Sequence, residues 1–210
     1  MTKVKICGIT RPEDALAAAE AGADYLGLNF YPRSRRFVTP GEAEKIVRSA
    51  EATRIKCAGV FVNERIDRVY KIAREVGLHL VQLHGDESEE YCRDLAGRID
   101  RVGIIKVFRI RGEEDIKIPG KFPADFFLFD TYSPGYGGSG RVLDWGILGG
   151  KKLPRKRLFL SGGLTPGNVR EAIRLVRPYG VDVASGVESS PGKKDRNKMA
   201  KFIKIVKSEK

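Results

Sequence analysis

Two residues in this chain have types suited to proton transfer and neighbours that single them out. Cys7 follows Val4-Lys5-Ile6 and precedes Gly8. In an extended strand residues two apart share a face, so Lys5 and Cys7 point the same way, and an ammonium there favours the thiolate. A lone cysteine also serves as a small buried hydrophobe, and that reading stays open for Cys7. Asp130 follows Phe126-Phe127-Leu128-Phe129. Apolar surroundings disfavour the charged form of a carboxyl group, which suits a general acid. Its plainer alternative is a loop or helix-capping carboxylate.

A phosphate cradle is the third feature. Ser161-Gly162-Gly163 and Ser185-Gly186-Val187 each follow an apolar run. Glycines there let backbone N–H groups approach a ligand, and a short helix after the second would aim its positive end at a phosphate. Tight turns are the competing explanation. Thr131 to Arg141 is glycine-rich and long enough to fold over a substrate, but lacks the GK[ST] of a nucleotide-binding P-loop. Cys7, Cys57 and Cys92 are widely spaced, and His79 and His84 are the only histidines. No disulfide framework, zinc site or histidine-based metal centre is supported, and Cys57 and Cys92 read as packing residues. One acid, one thiol base, a phosphate cradle and no metal or nucleotide motif describe proton transfer on a small sugar phosphate.

Something must hold these groups together. Apolar runs begin near Lys3, Asp24, Arg54, Leu78, Arg101, Asp125, Arg157 and Val181. They recur every roughly 20–30 residues, the length of one strand-loop-helix-loop unit. Between them lie helical stripes such as Ile66, Val69, Tyr70, Ala73 and Val76, or Met199, Phe202, Ile203 and Val206. Thr10-Arg11-Pro12, Thr39-Pro40 and Thr165-Pro166 read as helix starts, and Gly22 and Gly77 as stops. Eight such units predict a single (β/α)8 barrel over residues 1–210, with an open doubly wound sheet as the alternative. Barrel chemistry lies where strands end. That rule independently shortlists Cys7, Asn29, Asn63, His84, Arg109, Asp130 and the two glycine loops.

The chain of 210 residues is 41% hydrophobic and 31% charged, which excludes a disordered tail. No stretch approaches the roughly 18 apolar residues of a membrane span, and no signal-peptide core is present. A cytoplasmic protein with a small-molecule substrate is expected. Only four Asn and one Gln accompany abundant Lys, Arg and Glu, a composition favoured in hot environments. The net charge is +12, and residues 151–210 hold 16 basic and 5 acidic residues, so +11 of it lies there. Such an excess suggests a polyanionic partner, most visibly at Lys151-Lys152-Leu153-Pro154-Arg155-Lys156-Arg157. No nucleic-acid motif or aromatic platform accompanies that run, so it reads as a solvated loop, with no nucleic-acid or membrane partner.

Lys5-Ile6-Cys7-Gly8-Ile9-Thr10, Val81-Gln82-Leu83-His84-Gly85-Asp86-Glu87, Phe129-Asp130-Thr131 with Gly137-Gly138-Ser139-Gly140, Leu160 to Leu164 and Gly180 to Glu188 resemble the phosphoribosylanthranilate isomerase family in order and spacing. The resemblance covers nearly the whole chain. It implies a (β/α)8 barrel of tryptophan biosynthesis that works without a cofactor, as a monomer or homodimer. It also implies that Cys7 is the general base and Asp130 the general acid of an Amadori rearrangement. Arg36 then holds the substrate carboxylate, with Arg35 as the alternative, and His84 lines the anthranilate pocket. Asp182 orients the site, and Gly162, Gly163, Ser185 and Gly186 bind phosphate. Ala184 stands where the family usually has serine, and Ser139 and Arg141 replace its commoner Thr and Lys. A related aminoaldose isomerase of histidine synthesis would carry aspartate at the end of the first strand, where Cys7 stands.

Overall fold

The structure, a computed structural model, describes residues 1–116, 122–133, 135–136, 144–148, 151 and 153–209. Eight strands, β1 (Lys3–Cys7), β2 (Tyr25–Asn29), β3 (Lys56–Phe61), β4 (Leu80–Leu83), β5 (Gly103–Ile110), β6 (Phe126–Thr131), β7 (Leu158–Leu160) and β8 (Gly180–Val183), pair in sequence order. Every pairing is parallel, and β8 returns to β1 through Lys5 beside Asp182, closing the barrel. All eight apolar runs are strands. Buried on both faces, such strands need continuous apolar sequence rather than alternation.

The helices α1 (Pro12–Glu20), α2 (Pro40–Ser49), α3 (Ile66–Val76), α4 (Glu89–Ala96), α5 (Val169–Val176) and α6 (Arg196–Ser208) cover the outside. Val69, Ile72, Ala73 and Val76 of α3 and Met199, Phe202, Ile203 and Val206 of α6 are buried, as their spacing requires. Each large side chain among them contributes about 1.5–3 kcal/mol of apolar burial. Two of the expected units differ. Among the described residues, β5 and β6 are joined through a short 3-10 turn at Glu113–Asp115, and β6 and β7 through turns at Trp145–Leu148 and Arg155–Arg157.

The helix starts divide similarly. Thr39 and Glu42 form a reciprocal capping box on α2. Thr10 does not cap α1: its hydroxyl donates to the Gly192 carbonyl at 2.6 Å, and Arg11 takes the cap position with its side chain on Asp14 rather than on a helix amide. Thr165 lies in a turn, and α5 begins three residues beyond Pro166, with Asn168 at the cap. Gly77 ends α3 in the left-handed conformation at φ 72°.

A small buried cluster of Tyr25, Ala58, Leu80, Ile105, Val107, Leu128 and Phe159 is separate from the main core. By the strand period of two, Gln82 and His84 share a face with Leu80, and Asp130 shares one with Leu128. The apolar cluster thus plugs the barrel, and polar groups occupy its mouth.

Candidate active site

The mouth is a cleft of about 600 Å³. Cys7, Arg36, His84, Asp130, Gly162, Gly163, Asp182 and Ser185 all line it. Gly186 does not; it sits behind Ser185, where a Cβ would fall 1.9 Å from the Leu164 carbonyl oxygen, so only glycine lets the two phosphate loops close together. Gly137, Gly138, Ser139, Gly140 and Arg141 lie outside the described residues.

Cys7 ends β1 with Lys5 one pleat below. The Lys5 ammonium is buried and donates to Asp182 Oδ1 at 2.8 Å. This partly corrects the expectation of a ready thiolate. Burial pushes the Cys7 thiol above its ordinary pKa; Lys5 draws it down, but Asp182 pushes it up, and the upward shift prevails. Desolvating a sulfur anion outweighs an ammonium whose charge is largely answered by a carboxylate. Asp182 therefore holds Lys5 while lining the same cleft as the phosphate loops.

Asp130 is the penultimate residue of β6, three strands round the barrel from β1. Its immediate neighbours are polar, unlike the phenyl run that precedes it in sequence. Oδ1 accepts from the Thr131 amide at 2.8 Å, and Oδ2 lies 3.3 Å from His84 Nε2. That second contact is close without hydrogen-bond alignment, for His84 Nε2 is unpartnered. Gln82 Nε2 stands 3.0 Å from His84 Nδ1. The Gln82 amide and the His84 ring thus share one hydrogen bond, whose donor is set by the ring's tautomer.

Arg36 comes from the loop after β2. Its Nε and Nη2 form a two-point pair with Glu188 at 2.8 and 2.7 Å, leaving Nη1 without an acceptor among the described residues. Glu188 also accepts from buried Lys194 at 2.9 Å. Sequence reading placed Glu188 in a motif without a role and passed over Lys194. Only their separation from Arg36 and Cys7, 152 and 187 residues in the chain, hid them.

On the remaining side, Gly162 and Gly163 have φ of 93° and 65°, a left-handed pair open chiefly to glycine. Consecutive residues of this kind turn their N–H groups towards one concave face. The amides of Gly162, Gly163, Ser185 and Gly186 donate to no described residue. A single 3-10 turn, Ser185–Val187, follows β8 where a short helix was expected. Among the described residues no group of three or more His, Cys, Asp or Glu could hold a metal ion.

The family model for N-(5'-phosphoribosyl)anthranilate (PRA) isomerase matches residues 4–205. An N-(5'-phosphoribosyl)anthranilate isomerase of Trichlorobacter lovleyi is 47% identical over 208 residues, spanning 99% of this chain and 98% of its own. Monomers generated from the dimeric phosphoribosylanthranilate isomerase of Thermotoga maritima superpose with a TM-score of 0.85 at 42% identity over the full length of both chains. A phosphoribosylanthranilate isomerase in complex with reduced 1-(o-carboxyphenylamino)-1-deoxyribulose 5-phosphate gives the same TM-score, identity and coverage. The chain belongs to the phosphoribosylanthranilate isomerase family.

Proposed function

We infer that the protein isomerises N-(5-phosphoribosyl)anthranilate to 1-(2-carboxyphenylamino)-1-deoxyribulose 5-phosphate in tryptophan biosynthesis. The observation that carries the residue assignment is the placement of Cys7 and Asp130 at the ends of separate strands, both lining the cleft that the phosphate loops also line. An aldose-to-ketose shift needs an acid and a base on different atoms of one substrate.

Asp130 protonates the furanose ring oxygen; the bond from that oxygen to C1 breaks, and the nitrogen lone pair forms the Schiff base. Cys7, as thiolate, takes the proton from C2, and the C2 electron pair flows towards nitrogen to give an enolamine. Tautomerisation returns a proton to C1 and leaves the ketone at C2. No electrons leave the substrate, so proton donors and acceptors suffice. The amides of Gly162, Gly163, Ser185 and Gly186 cradle the phosphate, and Arg36 Nη1 faces the anthranilate carboxylate. His84 lines the aromatic end of the cleft beside Asp130.

The reading takes residues 1–210 as one domain, with a homodimer of the kind described for the Thermotoga maritima relative as the assembly to test by sedimentation. Turnover of phosphoribosylanthranilate by wild type, Cys7→Ala and Asp130→Asn tests the chemistry. Each substitution should cost about 10²–10⁴-fold in kcat with the fold intact. Full activity in either variant removes that residue from the mechanism.

A further inference from the structure

After β8 the chain forms a small antiparallel hairpin, β9 (Glu188–Ser190) and β10 (Lys193–Lys194), before α6 begins. Its pairing register shifts between Lys193 and Lys194. A bulge of this kind re-aims a side chain. Here Lys193 is exposed, whereas the Lys194 ammonium is turned inward and fully buried. The hairpin is tied down from both sides. Thr10 donates to Gly192, and the Lys194 amide donates to Asp14 at 3.1 Å.

The buried ammonium has three acceptors: the carbonyl of Cys7 itself at 2.6 Å, the carbonyl of Ala184 at 3.2 Å and Glu188 Oε1 at 2.9 Å. Two carbonyls could be joined by a neutral donor. Burying a cation is costly, and its one carboxylate is shared with Arg36, so the charge is only half answered. What a cation adds over a neutral donor is a field, and the Cys7 sulfur, on the residue whose carbonyl it holds, is a group able to use it.

We propose that Lys194 is a positioning residue for the reaction: from beneath the end of β1 it fixes the Cys7 backbone against the phosphate loop and supplies positive potential that stabilises the Cys7 thiolate. The proposal rests on the reading of Cys7 as the base, but its test does not. The charged groups around Cys7 are Lys5 on its own strand, Asp182 on β8, Arg36 from the loop after β2, and Glu188 and Lys194 from the hairpin; His84 and Asp130 stand across the cleft. Burial is the largest influence on the thiol and drives its pKa up; Lys194, like Lys5, opposes it.

The measurement is the pH dependence of Cys7 alkylation by iodoacetamide in the full chain, read on the Cys7 peptide so that Cys57 and Cys92 do not contribute. Removing a cation a few ångströms away should raise the alkylation midpoint in Lys194→Met by about one pH unit. Glu188→Gln removes the counter-charge of both Lys194 and Arg36, so its midpoint should fall. A purely structural lysine leaves the midpoint of folded K194M where it is. Should K194M fail to fold, as circular dichroism would reveal, Lys194→Gln, which keeps a donor for the two carbonyls and loses the charge, decides the matter by the same upward shift. An unmoved midpoint in whichever of the two Lys194 variants folds overturns the proposal. Midpoints that shift as expected while the acid limb of kcat/KM stays fixed uphold Lys194's action on the thiol and reject Cys7 as the base.

Discussion

Gly27 on β2 offers a sharp test of how tightly the base is held. It pairs with Cys7 in the ladder, and its carbonyl accepts from both the Gly8 and Ile9 amides at 2.9 and 3.0 Å. A Cβ at position 27 would lie 2.7 Å from Cys7 Sγ, 3.0 Å from Lys5 Nζ and 3.0 Å from the Cys7 Cα. Ordinary contacts between such atoms fall near 3.5–4.0 Å. Something must therefore give by about 1 Å. The Cys7 backbone is fixed by the ladder and by Lys194, and the Lys5 ammonium is fixed by Asp182. The sulfur is the group left to move. Overpacking of this kind costs about 1–3 kcal/mol of stability, and displacing a reacting group by 1 Å costs on the order of 10²-fold in rate. Gly27→Ala should accordingly show a loss near that size in kcat/KM, with a urea midpoint lowered only modestly. Gly41→Ala is the matched control. No atom lies within 4 Å of its Cβ position, and replacing a helical glycine is worth up to about 1 kcal/mol. Turnover of Gly27→Ala within about twofold of wild type would mean that the sulfur has room the packing denies, and the account of a tightly held base would fail.

Two further substitutions probe the charge pairs. Lys5→Met leaves Asp182 buried without its cation and should cost about 3–5 kcal/mol in chemical denaturation; adding Asp182→Asn should recover part of that loss. Asp24 holds β1 to the last turn of α6, accepting from Lys207 at 2.5 Å, the Val4 amide at 2.8 Å and Lys3 at 2.9 Å. Burial pushes its pKa up, but Lys207, Lys3 and the Val4 amide lower it further, so the folded value lies below the unfolded one. Its stabilisation is present in full above the ordinary carboxylate range and vanishes as pH falls through the folded pKa. Asp24→Asn should lose about 1–3 kcal/mol at neutral pH and show a flatter acid decline than wild type in denaturation curves taken across that window.

The strands were legible because each must be apolar along its whole length, a signal that survives without any knowledge of neighbours. Strand ends were legible for the same reason: once the runs were placed, Cys7, His84, Asp130 and the two glycine loops fell at their carboxyl ends. Local chemistry succeeded where partners are close in sequence, as with the Thr39–Glu42 capping box, and failed where a distant group competes. Thr10 is drawn away from α1 by Gly192. Glu188 and Lys194 escaped notice because their partners lie on the other side of the closure between β8 and β1. No period in the sequence encodes that contact. The Lys5 inference shows a different limit. Its position and the direction of its effect were right, but the net shift of the thiol is set by burial and Asp182, and these are properties of the assembled site.

The same distinction governs the charge. Most of the +12 lies in residues 151–210, and there it divides by position. Lys201 and Lys204 are exposed on α6, on the outside of the barrel, and Lys207 is engaged with Asp24. Arg155–Arg157 form the turn before β7, at the end of the barrel opposite the mouth. Among the described basic residues of this segment, Lys194 alone is buried against the Cys7 backbone. The cations that line the cleft, Arg33, Arg35 and Arg36, come instead from the part of the chain whose charges nearly cancel. A substrate carrying phosphate and carboxylate meets the field of those arginines at short range, where it is strongest. Lys194 aside, the basic carboxyl-terminal segment adds only a screened background. Net charge along a chain thus says little about potential at a site, because the barrel brings to one mouth residues from both halves of the chain and sends most of the surplus to its outer face.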